Sequence, residues 1–441
     1  MESGALTASL LLPDARMDAM NAPPHLLFLG HTFPYPPDSG VAIRSLHLLR
    51  LLARSFDVTA LCFSRDKGGV VPQHDLPQRV AAVRQLAEVE LEAFSMPQDR
   101  SAWRRAWDHL RSIGLNRAYT VFTFESRAFA NRLAHLLRTR RFDVIHVDSI
   151  QLSNYLPLLG GAPIVCGHHN VESLLLERRA LVERSPWRQA YVRHQARLMA
   201  REERRWCARF DLNTVVSEAD RIALERIVPG ANCAVVPNGV DVEAFTPGRG
   251  RDEGIVFVGE STWFPNRDAL QYFCDEILPG IRAAERGGTP VRWVGRAPDT
   301  LRREYRDRYA VELTGYVADV RPYIRDAACY VVPLRVGGGT RLKILDAWAM
   351  GKAVVSTSVG CEGLAAEDGR NILVRDDPAS FAQAVCAVLG DEPLRLRLGF
   401  EARRTVERLY SWERIGDSLL PQYVSLVRSR GGLRTATPVA P

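Results

Sequence analysis

The chain has 441 residues, 46% hydrophobic and 25% charged, with a formal net charge of +7. That length points to two domains of ordinary soluble composition, and no run reaches the roughly 18 apolar residues that cross a bilayer. Nearly all the positive charge is arginine, because lysine occurs only at Lys67, Lys343 and Lys352. The excess therefore reads as a compositional bias, and nucleic acid is not an expected partner.

Residues 1–24 read as a disordered extension. A short apolar patch, an acidic Glu2 and no basic leader argue against a signal peptide, and Met17 and Met20 are alternative starts. The eight cysteines are scattered without a C-x-x-C pair, most of them inside apolar runs, and read as free thiols of a reducing, cytoplasmic compartment. From His25, HLLFLGH reads as a strand, FPYPPDSG as a turn-rich loop, VAIRSLHLLRLLAR as a helix and FDVTALCFS as a second strand. This βαβ pattern builds a parallel sheet, extended by FDVIHVDS (142–149), PIVCGHHN (163–170) and FDLNTVVS (210–217). A long charged helix is expected from Glu172 to Arg209. There arginine is interleaved with Trp187, Tyr191 and Trp206, as it is around Trp103 and Trp107 further upstream. These stretches read either as solvated helices with an apolar stripe or as a docking face for an anionic membrane surface.

The texture changes around Val235, where CAVVPNGVDVEAFTPGRGRDEG joins a strand, an N-G turn, a Pro-Gly pair and a charged spacer. Alternation then restarts with GIVFVGE, VRWVG, VELTG, CYVVPL, AVVSTS and NILV as strands and helices between them. Two doubly wound α/β domains follow: an N-terminal domain over 25–245 and a C-terminal one over 246–407. A final helix over 408–428 packs back on the first domain, before a disordered tail over 429–441. Ligands of such sheets sit beyond the carboxyl ends of the strands, which for two facing domains is the cleft between them.

The most informative stretch is VGGGTRLKILDAWAMGKAVV, in which Gly337, Gly338 and Gly339 lie at a strand-to-helix junction. Glycines admit an anion to the unpaired N–H groups of a helix start, and Thr340 can cap that helix. Lys343 and Asp346, three residues apart, share a helical face. The cation suits a phosphate and the carboxylate suits ribose hydroxyls. A tight turn with a routine Lys–Asp pair is the alternative. The spacing fits neither the Walker A loop nor G-x-G-x-x-G. No D-x-D triplet occurs, and no His/Cys/carboxylate group has metal-ligand spacing, so no metal and no cofactor is expected.

PLRVGGGTRLKILDAWAMGKAVVSTSVGCEGL, together with VVPNGVDVEAFTP, HHNVES and PYPPDSGVAIRSLHLLR, resembles the retaining GT-B glycosyltransferases of family 4 (group 1). The likeness is greatest to the sugar transferases of exopolysaccharide clusters. It implies that Asp346 stands at the second of the family's paired glutamates, on ribose, and Gly338 at the first, whose carboxylate is missing. Glu260 falls where the family's phosphate-clamping arginine would be and Asn266 near its lysine, so Arg335, Arg341 and Lys343 become candidates for the lost charge, beside Gly259. His169 falls on the family's active-site histidine, with a structural histidine as the alternative. Glu172 follows by position or simply caps a helix. The loop PPDSGVAIR supplies Asp38, Ser39, Gly40 and Arg44 as phosphate or acceptor candidates, or else forms a proline-rich turn with an N-cap.

The expected function is metal-independent transfer of a sugar from a nucleotide-sugar donor to a hydroxyl acceptor, with retention. That acceptor is a glycan or a polyprenyl-linked lipid in polysaccharide biosynthesis, reached through peripheral contact with the inner membrane. A nucleotide-sugar epimerase and a non-catalytic relative are the alternatives.

Overall fold

The computed structural model describes residues 23–433, except 38, 65–75, 88, 184, 285–287 and 338–341. In the N-terminal half, seven parallel strands carry the apolar runs: β1 (His25–Gly30), β2 (Asp57–Ser64), β3 (Val89–Ser95), β4 (Val144–Val147), β5 (Ile164–Gly167), β6 (Leu212–Val215) and β7 (Cys233–Val235). They run in the order β3-β2-β1-β4-β5-β6-β7. Strands covered by helices on both faces are continuous apolar runs rather than alternating ones, and β1, β2 and β4 are buried along nearly their whole length. Four helices of this half matter below: α1 (Gly40–Leu52), α2 (Ala102–Gly114), α3 (Glu172–Val182) and α4 (Pro186–Trp206).

The second half holds β8 (Ile255–Val258), β9 (Val291–Val294), β10 (Val311–Leu313), β11 (Cys329–Val332), β12 (Val354–Ser356) and β13 (Leu373–Val374). This sheet is also parallel, in the order β10-β9-β8-β11-β12-β13. Helix α5 (Phe264–Tyr272) follows β8 and α6 (Leu342–Ala349) follows β11. Each sheet reverses its winding once, between β1 and β4 and between β8 and β11. Such reversals open crevices at the strand ends.

Three expectations need correction. Strand β3 was not foreseen, because VELEAFS alternates glutamate with apolar residues. It is an edge strand whose Glu90 and Glu92 pair with Arg140 and Arg132. The helix expected over 172–209 is a hairpin of α3 and α4 that breaks at Ser185-Pro186. Proline disfavours helical backbone before it and suits the first helical position that it occupies here. The last helix, α7 (Trp412–Leu433), continues past the expected end at Arg428, since extending a nucleated helix fixes one residue per hydrogen bond gained. Trp412, Ile415, Leu419 and Tyr423 of α7 are buried with β1, β2 and α1 in one core of the first domain. Each such side chain is worth about 1.5–3 kcal/mol, and together they strap the chain end onto the domain where it began.

Candidate active site

At the carboxyl end of β8, Gly259 leaves room for two side chains to converge. A Cβ there would lie 2.7 Å from Asn266 Nδ2 and 2.9 Å from Lys343 Nζ. Lys343, on the first turn of α6, donates to Asn266 Oδ1 at 2.8 Å and sits 3.9 Å from the centre of the Phe257 ring. Asn266 in turn donates to the Glu260 carbonyl at 3.0 Å. Asp346 follows one turn later on α6; burial pushes its carboxyl up to about 7, against the pull of the Lys343 charge. Gly259, Asn266, Lys343 and Asp346 thus form one group where β8 and β11 end, beside Gly337. Gly338, Gly339, Thr340 and Arg341 lie outside the described residues, as does Asp38.

Arg335 does not join this group. Its guanidinium grips Asp268 in a two-point pair (3.1 and 2.9 Å), reaches Glu276 at 3.5 Å and lies over the Tyr272 ring. Arg335 is thus paired with carboxylates of α5 and the turn after it, apart from the Lys343 group. Arg44 is likewise a strut. It is buried, donates to the Pro237 carbonyl (3.1 Å) and Asn238 Oδ1 (2.9 Å), and so ties α1 to the segment after β7. Burial lowers it to about 10, while the charge of Asp148 works the other way.

Across the cleft, Ser39 caps α1 by accepting from the Ala42 N–H at 3.4 Å. A Cβ on Gly40 would stand 3.1 Å from Leu342 Cδ1, so the start of α1 abuts the start of α6. Two helix N-termini therefore meet there, and both favour negative charge. Below them, β1, β4 and β5 end in His31, Asp148 and the His168–His169 pair. The two histidines diverge, as neighbours on an extended chain do. His168 contacts Asn213 Oδ1 at 3.0 Å, and its burial lowers it to about 4. His169 turns to the carboxylate, with Nε2 3.3 Å from Asp148 Oδ1.

Asp148 is fully buried and organises the rest. Ser45 donates to Oδ2 at 2.6 Å, His31 Nδ1 lies 3.8 Å away and His146 Nε2 3.4 Å, with Tyr423 of α7 2.7 Å behind His146. Burial alone would raise its carboxyl. The nearby His169, with hydrogen bonds from His146 and His169, outweighs that and holds it well below the ordinary carboxylate range. Among the described residues, His31, Asp148 and His169 are the one group able to hold a metal ion, their ligand atoms within 4.8 Å of one another. Sequence spacing did not bring these three residues together, because they come from three separate strand ends.

Further residues were missed for similar reasons. Arg178 of α3 crosses to the other domain, donating to the Gly337 carbonyl at 2.9 Å and pairing with Glu362 (2.7 Å from Nη2). Arg296 stands at the end of β9 beside Glu260, its carbonyl accepting from the Ser261 N–H at 2.9 Å. The V-G-R sequence after a strand was a usable signal. Glu172 packs against Glu203; burial first, then the charge of Glu203, carry Glu172 up to about 7, and burial lifts Glu203 to a similar value.

Comparison with known proteins bears on the family and the fold. Residues 39–244 match the family described as Glycosyltransferase Family 4, and residues 252–391 the one described as Glycosyl transferases group 1. A 44.6 kDa protein of the Klebsiella pneumoniae cps region is 23% identical over 176 residues, which is 38% of this chain and 45% of that relative. Sucrose-phosphate synthase from Thermosynechococcus elongatus superposes with a TM-score of 0.65 at 17% identity, covering 92% of this chain and 100% of that one. Anabaena Alr3699/HepE in complex with UDP-glucose does so at 0.62 and 14%, covering 91% and 99%. At such identities the structural likeness establishes the fold.

Proposed function

This chain belongs to the glycosyltransferases of family 4 and group 1 and has their GT-B fold, and on that premise we propose that it moves a sugar from a nucleotide-sugar to a hydroxyl acceptor with retention. The observation that carries the donor assignment is the convergence of Lys343, Asn266 and Gly259 above Asp346, where the C-terminal sheet reverses its winding. Lys343 meets the diphosphate, and Asp346 accepts from the ribose. The leaving group gains further from the start of α6, whose N-terminus favours negative charge. His169, held by Asp148, faces the transferring sugar. Retention rests on the family resemblance.

Neutralisation by Lys343 and helix ends makes a divalent ion unnecessary at the diphosphate. Asp148 is already engaged by Ser45, His146 and His169, which favours an ionic network over metal ligation at the His31 cluster. Free cysteines suit a cytoplasmic enzyme. The acceptor class, a glycan or a polyprenyl-linked lipid of polysaccharide biosynthesis, follows from the same resemblance. Among the described residues no helix is long and apolar enough to cross a membrane.

A thermal-shift panel of UDP, GDP and ADP sugars tests the reading, because a ligand of the native state alone raises the melting temperature. The stabilising donor is then incubated with lipid-linked and glycan acceptors, with and without EDTA. Nucleotide release that needs an acceptor and survives EDTA is expected. Conversion of donor without acceptor would make the protein an epimerase. Loss of turnover in EDTA would transfer the chemistry to a metal, and silence across the panel would overturn the assignment.

A further inference from the structure

Apolar side chains are exposed together on one part of the N-terminal domain. On α2, Trp103 is 87% exposed, Trp107 59% and Leu110 61%; at the α3–α4 hairpin, Trp187 is 87% exposed and Leu181 73%. Exposed aromatic groups of this size mark a contact surface. The two helices run side by side in the same direction: His109 meets Tyr191, Ser112 accepts from Gln195 at 2.8 Å, and Arg117 just beyond α2 pairs with Glu202 at 2.9 Å. Those contacts fix how each helix is rotated. At about 100° per residue, the tryptophan stripe of α2 and the exposed Arg193, Arg197 and Arg201 of α4 turn to the same side of the pair.

On α2 and α4 the exposed charges are arginines, while Glu177 and Glu183 on the α3 side of the hairpin carry the opposite sign. Glu202 and Glu203 of α4 are buried, the first on Arg117 and the second accepting from the Ser173 N–H at 3.2 Å. On α2, Asp108 is buried against Gln98 and Arg104. On these two helices the acids point inward and the arginines outward, with tryptophans and leucines beside them. Tryptophan prefers the boundary between headgroups and hydrocarbon. Arginine beside it is attracted to an anionic leaflet, and an apolar face with cationic flanks lies in the interface plane.

We propose that the α2 face and the α3–α4 hairpin tip dock this enzyme on an anionic lipid bilayer. The site lies close by: Arg178, one turn before Leu181 on α3, reaches the Gly337 carbonyl and Glu362 across the cleft. Docking there holds the cleft at the surface where a lipid-linked acceptor is anchored. That purpose rests on the activity proposed above, but lipid binding itself needs no donor.

Sedimentation of the full chain with phosphatidylcholine vesicles, with and without phosphatidylglycerol, tests the proposal. Binding to the mixed vesicles at low salt is expected, weakened by moderate salt and absent on neutral lipid. Arg193→Ala/Arg197→Ala/Arg201→Ala should weaken it at least about tenfold, and Trp103→Ala/Trp107→Ala should weaken it at every salt concentration. Both variants should keep the wild-type melting temperature and donor-induced shift, so failure here is distinct from failure of the glycosyl-transfer reading. Equal partition of wild type and variants, or no binding to anionic vesicles at low salt, would overturn it. So would a dimer that the tryptophan substitutions dissolve, or an oligonucleotide displacing the vesicles.

Discussion

Replacing Asp346 by asparagine should make the protein more stable at alkaline pH while weakening its hold on nucleotide. Burial lifts this carboxyl from 3.8 to about 7. Between those values the folded state keeps a proton that the unfolded chain has released. A raised acid therefore destabilises the fold progressively as pH climbs through that window, and no further above it. One unit corresponds to about 1.4 kcal/mol, so moving from about pH 5 to about pH 7 covers two units, or nearly 3 kcal/mol. The carboxyl keeps some solvent contact, which reduces the expected slope to about 1–3 kcal/mol. Asparagine has no charge to bury and lacks that slope. Urea unfolding of wild type and Asp346→Asn at both pH values measures the difference between them. It should grow in favour of the variant as pH rises, while nucleotide affinity drops by about 1–3 kcal/mol for the lost charged hydrogen bonds. A difference that stays constant with pH would show that the carboxylate is not held against its preference, and the argument for a poised ribose ligand would fail.

Asp148→Asn removes the buried anion beside His169, and turnover should fall about 10–100-fold with the donor-induced thermal shift intact; normal turnover would take the pair out of the mechanism. Arg178→Ala breaks the link from α3 to Gly337 and Glu362, and KM for donor should rise by the equivalent of about 1–2 kcal/mol, with little change if the two halves close without it. Arg44→Ala leaves Asn238 and the charge of Asp148 without their buried cation; a loss of about 3–5 kcal/mol is expected, and an unchanged melting temperature would show the strut to be dispensable.

What the sequence disclosed depended on whether a signal was local. The apolar runs of β1, β2, β4, β8 and β11 were legible because a parallel strand buried on both faces needs no partner to be recognised. Edge strand β3 escaped because its glutamates serve arginines 40 and 50 residues away. The same distinction governs the site. Lys343 and Asp346 lie one turn apart on α6, so helical periodicity alone put them together. Arg335 lies only eight residues before Lys343, yet it pairs with Asp268 and Glu276, a preference decided by residues that no local pattern connects to it. Asp148 was read only as part of a strand motif. Its role depends on His31, Ser45 and His169, which arrive from β1, α1 and β5 once the sheet has formed.

The two sides of the cleft impose opposite electrostatic conditions, and that contrast bears on the direction of the proposed chemistry. On the C-terminal side, Lys343 is a cation beside a carboxyl that burial keeps reluctant to ionise, so the local balance favours an incoming dianion. On the N-terminal side, Asp148 is held ionised among imidazoles, so the balance favours positive charge. A glycosidic bond to a diphosphate, as it breaks, places negative charge on the leaving oxygens and positive charge on the sugar. A donor lying across the cleft with its diphosphate on α6 meets stabilisation at both ends of the stretching bond, and that stabilisation grows as charge separates. An interaction that strengthens towards the transition state raises turnover, whereas one present equally in the ground state does not. For that reason Asp148→Asn is expected to lower turnover, and Lys343→Ala to weaken donor binding as well.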